Sequence, residues 1–181
     1  MKNLTLSLFL AAACIAPVTA QGGGMANRGA PTIRQAIDFS QGAKLELSYT
    51  ALNWAQGQFM ERLKDAAARE RLNEGAKQNP VGKLKASETI SIGDKKVEAG
   101  EYGLHFMVGD DVQWKLVLSN GDEMLEWPLD LKDTDKHRQR LSIVVAAGEA
   151  IDQCALEIQF GKMKTAIPCK LAGGEDGGED R

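Results

Sequence analysis

Two histidines, His105 and His137, are the side chains of this chain best suited to proton transfer or metal ligation near neutral pH. His105 falls in the alternating run Tyr102 to Val108, on the face opposite Phe106. A loop at Gly109-Asp110-Asp111 sets it across from Lys115, whose charge opposes a bound cation, so an exposed strand histidine is expected, with ligand contact as the alternative. His137 ends the polar run Asp130 to His137, which has the look of a calcium loop. It lacks the central glycine and terminal glutamate of such a loop, and a solvated connection is the expectation.

Nucleophiles and carboxylates are no more convergent. There is no Gly-x-Ser-x-Gly elbow, and Ser40, Ser48, Ser87, Ser91, Ser119 and Ser142 fall in strand patterns or turns. Asp110 with Asp111, and Asp122 with Glu123, sit at hairpin tips where solvation is expected. Gly22-Gly23-Gly24 follows no strand and precedes no Lys-Ser or Lys-Thr, so it is not a phosphate loop. Trp54 lies in a connection outside any alternation; it reads as a stacking platform for a sugar ring or other flat ligand, or as a lid over the core. Trp54 and His105 are therefore the residues nominated for ligand contact, and no catalytic residue, metal ligand or cofactor is implied.

The elements that must carry these residues begin with an export signal. Lys2 precedes an apolar run, Leu4 to Ala16, and Val18-Thr19-Ala20 offers the small residues of a cleavage site after Ala20. Residues 1–20 read as a signal peptide, and the expected location is periplasmic or secreted. Ala11-Ala12-Ala13-Cys14 allows the alternative of a lipoprotein anchored through Cys14. Residues 21–38 read as a flexible leader, 39–171 as one domain and 172–181 as an acidic disordered tail. Net charge is −3 with the tail included, so no basic excess is left to bind nucleic acid, and no run is long enough for a transmembrane segment in the mature chain. In an oxidising compartment Cys154 and Cys169 are expected to form a disulfide.

Alternation then sets the architecture. Ala43 to Thr50 reads as the first strand, and Phe59, Met60, Leu63, Ala66, Ala67 and Leu72 recur at helical spacing within one amphipathic helix at about 56–78. Leu84 to Ile92 and Lys95 to Val97 form a hairpin about Gly93-Asp94, with Ile90 opposite Val97. The faces of Tyr102 to Val108 and Val112 to Leu118 agree only for a loop with an odd number of residues. A turn at Asn120-Gly121 places Trp114 opposite Trp127, with Pro128 marking an edge. Leu141, Ile143 and Val145 alternate in a further strand. A closing hairpin about Gly161-Lys162 sets Cys154 opposite Cys169.

The run Gly93 to Leu104, with Ala99-Gly100-Glu101-Tyr102 at its centre, and the following Trp114-Lys115-Leu116-Val117-Leu118 resemble the core of the bacterial domain of unknown function 2911 family. Leu156 to Pro168 resembles that family's closing hairpin. Lys83-Leu84-Lys85-Ala86-Ser87-Glu88 stands where the family carries Trp-Arg-x-Gly-Ala-Asn-Glu, the mark of a divergent member. The resemblance implies an exported β-sandwich and brings no catalytic residue with it.

The expected fold is all-β: a single antiparallel β-sandwich or jelly-roll-like domain with one inserted amphipathic helix. The expected function is a non-enzymatic exported binding or interaction module for a small molecule, glycan or envelope protein. A hydrolase or metal-dependent enzyme is the alternative, and would require histidines and carboxylates to converge from distant segments.

Overall fold

The computed structural model describes residues 29–39, 42–53 and 58–172. The expected signal peptide with Ala20, the alternative lipidation site Cys14, Trp54 and residues 173–181 lie outside the described residues. Along the chain run β1 (Thr32–Asp38), β2 (Lys44–Thr50), α1 (Gln58–Arg62), α2 (Ala66–Gln78), β3 (Gly82–Ala86), β4 (Ile90–Ile92), β5 (Lys95–Val97), β6 (Gly100–Val108), β7 (Trp114–Asn120), β8 (Glu123–Pro128), β9 (Lys132–Ala147) and β10 (Gln153–Leu171). They form two antiparallel sheets, ordered β1-β2-β3-β6-β7-β8 and β5-β4-β10-β9. The inward rows of both sheets, among them Leu45, Leu47, Leu84, Leu104, Leu116, Ile92, Ile143, Leu156 and Ile158, make one continuous core. The fold is thus an all-β sandwich.

Polar side chains tie the sheets together at both sides. Ile143 N–H donates to Tyr49 Oη at 2.9 Å, and Gln35 donates to the Ile143 carbonyl while accepting from Val145 N–H. At the other side the Trp127 indole N–H donates to the Ile92 carbonyl at 2.7 Å. Each bond satisfies a group that the core would otherwise leave without water.

Several expectations need correction. The span 21–38 expected to be flexible leader contains strand β1, Thr32–Asp38, paired from Thr32↔Thr50 to Asp38↔Lys44. Its inward row is Ile33, Gln35 and Ile37, and the central glutamine hides the alternation from a hydropathy reading. The single helix is two, since Asp65 adopts extended backbone and caps α2 by accepting from Ala68 N–H at 3.1 Å. The helix passes through Gly75 and ends at Asn79, whose N–H bonds the Gly75 carbonyl. The strand read from Leu84 to Ile92 is broken: Ala86 ends β3 in one sheet and Ile90 begins β4 in the other. Beyond that break, Ile90 does face Val97 about Gly93.

The hairpin registers shift by two residues, and that preserves every face. The β6–β7 loop covers residues 109–113, an odd number, and pairs Val108 with Trp114. His105 consequently faces Val117, and Lys115 faces Met107. Between β7 and β8 the closing pair is Asn120↔Glu123, so the loop is Gly121-Asp122. Only Gly121, at φ 59, takes a left-handed conformation there. One positive φ at the first central residue is the pattern of a type II′ turn, which displaces the loop from Asn120-Gly121. Trp127 therefore lies opposite Leu116 rather than Trp114. Trp114 bonds through its carbonyl to Leu129 N–H and packs on Phe160 of the other sheet, ring centroids 5.6 Å apart.

β10 doubles back at Gly161, whose φ is 58. Leu171 N–H donates to the Asp152 carbonyl at 2.9 Å, so the two ends of the strand lie side by side. This brings the Cys154 and Cys169 thiols within hydrogen-bond reach of each other. The expected disulfide is not formed: both cysteines are buried free thiols, and Cys169 S–H is aimed at the Ile167 carbonyl, 3.6 Å away. The register places them at a hydrogen-bonded pair, the pair type with the wider side-chain separation. The polar run before Leu141 is also no loop, because Lys132–Ala147 forms β9 with its first half exposed.

Candidate functional site

The outward face of the six-stranded sheet carries the polar chemistry. Its strand-to-strand rows follow from the register. Arg34, Ser48, Lys83, Gly103 and Ser119 form one row across β1, β2, β3, β6 and β7. Ala36, Glu46, Lys85 and Glu101 form the next. Over β1, β2, β3 and β6 these rows line a shallow open groove of about 430 Å³ whose members include Arg34, Ala36, Glu46, Ser48, Lys83, Lys85 and Glu101. Ala36 is the smallest side chain of the second row and leaves the groove open above β1.

Charges in the groove alternate. Lys83 Nζ pairs with Glu101, and Lys85 Nζ lies 3.8 Å from Glu46, which also meets Lys44 at 3.5 Å. The Lys83 ammonium beside Glu101 donates to it and holds its carboxyl below the usual carboxylate range. Among the described residues, no carboxylate lies within ion-pair distance of Arg34. It is the groove's uncommitted cation, a planar donor suited to a carboxylate or phosphate.

Further along the same face, α2 covers what the groove leaves open. β3 begins only at Gly82, so β6 beyond His105 lacks a strand neighbour on that side. The Asn73 side-chain amide takes the place of one, accepting from Val108 N–H and donating to Val108 C=O, both at 2.9 Å. Beneath α2 lie His105, Met107 and Val117, outward-pointing yet buried.

His105, expected to be exposed, is only 3% exposed and is bonded through both ring nitrogens. Nδ1 lies 2.7 Å from the Ala76 carbonyl, and Nε2 lies 2.7 Å from Ser119 Oγ. A carbonyl can only accept, so Nδ1 carries the proton, and in the neutral ring Nε2 accepts from the Ser119 hydroxyl. Ala76 is in the last turn of α2, where carbonyls lack helical partners and the dipole is negative. Gly103 makes room for the pair: a Cβ there would stand 2.9 Å from both His105 Nε2 and Ser119 Oγ.

No protein-family model matches the chain, and no curated protein or solved structure matches it either.

His137 is an exposed residue of β9 in the second sheet, so the two histidines are not brought together. No group of three His, Cys, Asp or Glu side chains among the described residues is placed to hold a metal ion. No helix among them is long and apolar enough to cross a membrane. The sequence alone marks neither Ser119 nor Arg34. Ser119 falls among serines of strand patterns or turns, and only the register puts it on Gly103's row; Arg34 lies within the span expected to be leader. The one available signal was parity, since His105, Gly103 and Ser119 share a face for any odd β6–β7 loop.

Proposed function

We propose that the chain is an exported binding module, a divergent relative of the domain of unknown function 2911 family. Its ligand lies along the outward face of the six-stranded sheet. The ligand class is a polar chain, a glycan first, bearing a carboxylate or phosphate. The observation that carries this reading is the Arg34-Ser48-Lys83 row, in which an uncommitted guanidinium and an ammonium flank a hydroxyl across three adjacent strands. Strands two apart are separated by about 10 Å, so one anionic group over Ser48 is in reach of both cations. Glu46, Lys85 and Glu101 in the next row offer acceptors and donors to ligand hydroxyls. The export half of the proposal rests on Lys2, the apolar run and Val18-Thr19-Ala20.

Titration of ¹⁵N-labelled protein with an oligogalacturonate, and with a neutral cello-oligosaccharide as control, tests the binding half. Amide shifts confined to β1, β2, β3 and β6, seen with the acidic sugar and lost in Arg34→Ala, are expected. Shifts elsewhere, or equal response to the neutral sugar, would refute the assignment. Mass spectrometry of the protein from an exporting host tests the rest: a chain starting at Gln21 is expected, whereas acylation at Cys14 would replace secretion with membrane tethering.

A further inference from the structure

We propose that Ser119 is a nucleophilic hydroxyl activated by His105, directed at an acyl ester on a molecule whose anionic group rests on Lys83. The arrangement has the three parts that hydroxyl activation needs: a nucleophile, a base within hydrogen-bond reach, and a third group that orients the base. Ser119 Oγ is 2.7 Å from His105 Nε2, and the opposite ring nitrogen is fixed by the Ala76 carbonyl at 2.7 Å. That carbonyl sets the tautomer, leaving Nε2 with its lone pair towards the hydroxyl. When the ring takes the proton, the imidazolium faces the negative end of α2, a helix of 13 residues.

Access is to the hydroxyl side of the pair. Ser119 is half-buried while His105 is enclosed, so the hydroxyl and not the ring meets a ligand. Gly103, with no side chain, separates Ser119 from Lys83 on the same row. Lys83 and Ser119 stand on strands two apart, about 10 Å, which sets the spacing between ester and anion in the substrate. This choice of substrate rests on the groove reading above; the nucleophile does not.

In the step itself Oγ forms a bond to the acyl carbon, the bond from that carbon to the leaving alcohol's oxygen breaks, and the hydroxyl proton passes through His105 Nε2 to the departing alkoxide. Water then repeats the sequence, His105 taking its proton and returning one to Ser119 as the acid is released. Atoms balance with water as the co-reactant, and no oxidant or reductant is involved.

The full chain is treated with a small neutral fluorophosphonate, and adducts are mapped by peptide mass. An adduct at Ser119 is expected, absent in Ser119→Ala and slowed at least about tenfold in His105→Gln, in keeping with the usual contribution of a general base. Iodoacetamide labelling of a Ser119→Cys variant gives a readout of access that does not depend on His105. Labelling of that variant with no fluorophosphonate adduct on the native serine overturns activation, and failure of both reagents overturns access. The substrate class is read separately, from p-nitrophenyl acetate against the p-nitrophenyl monoester of suberic acid. Faster turnover of the suberate ester, with the preference lost in Lys83→Ala, supports it. Equal rates with a Ser119 adduct present overturn Lys83's part and the groove as the ligand's seat, while the nucleophile stands.

Discussion

His105 Nε2 and Ser119 Oγ lie 2.7 Å apart although the two residues are not directly opposed: His105 faces Val117, and Ser119 faces Gly103. The contact is diagonal across β6 and β7, and it is open only because the residue opposite Ser119 has no side chain. With the Ala76 carbonyl on the other ring nitrogen, His105 joins the end of α2 to the sheet.

Replacing His105 with alanine leaves the Ala76 carbonyl and the Ser119 hydroxyl without this partner beneath α2. A loss of about 2 to 3 kcal/mol is expected from urea unfolding. Since none of the residues of α2 is fully buried, hydrogen exchange should rise across α2 while β2 and β6 stay protected. Uniform acceleration across all strands would show that His105 supports the whole sheet instead.

Trp127→Phe keeps most of the aromatic volume and removes the indole N–H that bonds the Ile92 carbonyl. The orphaned carbonyl is buried between the sheets, so a loss of about 1 to 3 kcal/mol is expected in thermal or urea denaturation. A neutral result would mean that water reaches Ile92.

Gly82→Ala is expected to be among the worst small substitutions. A Cβ there would stand 2.3 Å from the Ser48 carbonyl oxygen and 2.8 Å from Tyr49 Cα, both backbone atoms of β2. Relief requires the β2–β3 pair to separate, so a loss of about 1 to 3 kcal/mol is predicted, measurable as a lower urea midpoint.

Glu101 titrates below the ordinary carboxylate range because Lys83 donates to it and places a positive charge beside it. A depressed folded-state value favours the folded protein above the unfolded carboxyl's range, and that contribution fades as pH falls through the folded value. The pair is exposed, so the effect on stability is small and NMR is the right measurement. In Lys83→Ala the Glu101 side-chain titration should move upward; no movement would assign the shift to another neighbour.

Cys169 is held protonated well above the ordinary thiol range by the Cys154 sulfur and by burial. In a Cys14→Ser chain, Ellman's reagent should find no reactive thiol in the folded protein and both Cys154 and Cys169 after denaturation. Rapid reaction before unfolding would contradict their burial.

Side-chain alternation, a local property of each strand, was enough to assign the sandwich, the inward faces and the Ile90–Val97 pairing, because a face is set by parity and survives a register shift of two. Parity does not choose between loops that differ by two residues, nor between turn types that share a glycine. At the β7–β8 turn the choice follows Gly121, which holds the positive φ and moves Trp114 off Trp127; in the β6–β7 loop it is Val112 that takes φ 64, against the preference of a β-branched residue, and the longer loop moves His105 off Lys115. Nor does alternation register a strand whose inward row contains Gln35, since that side chain becomes an inward residue only when β9 supplies a donor and an acceptor for it. The candidate site was less legible than the fold for the same reason. Arg34, Lys83, His105 and Ser119 come from different strands, and only the side-by-side pairing of β1, β2, β3, β6 and β7 in one sheet, with α2 packed on β6, turns them into neighbours on one surface.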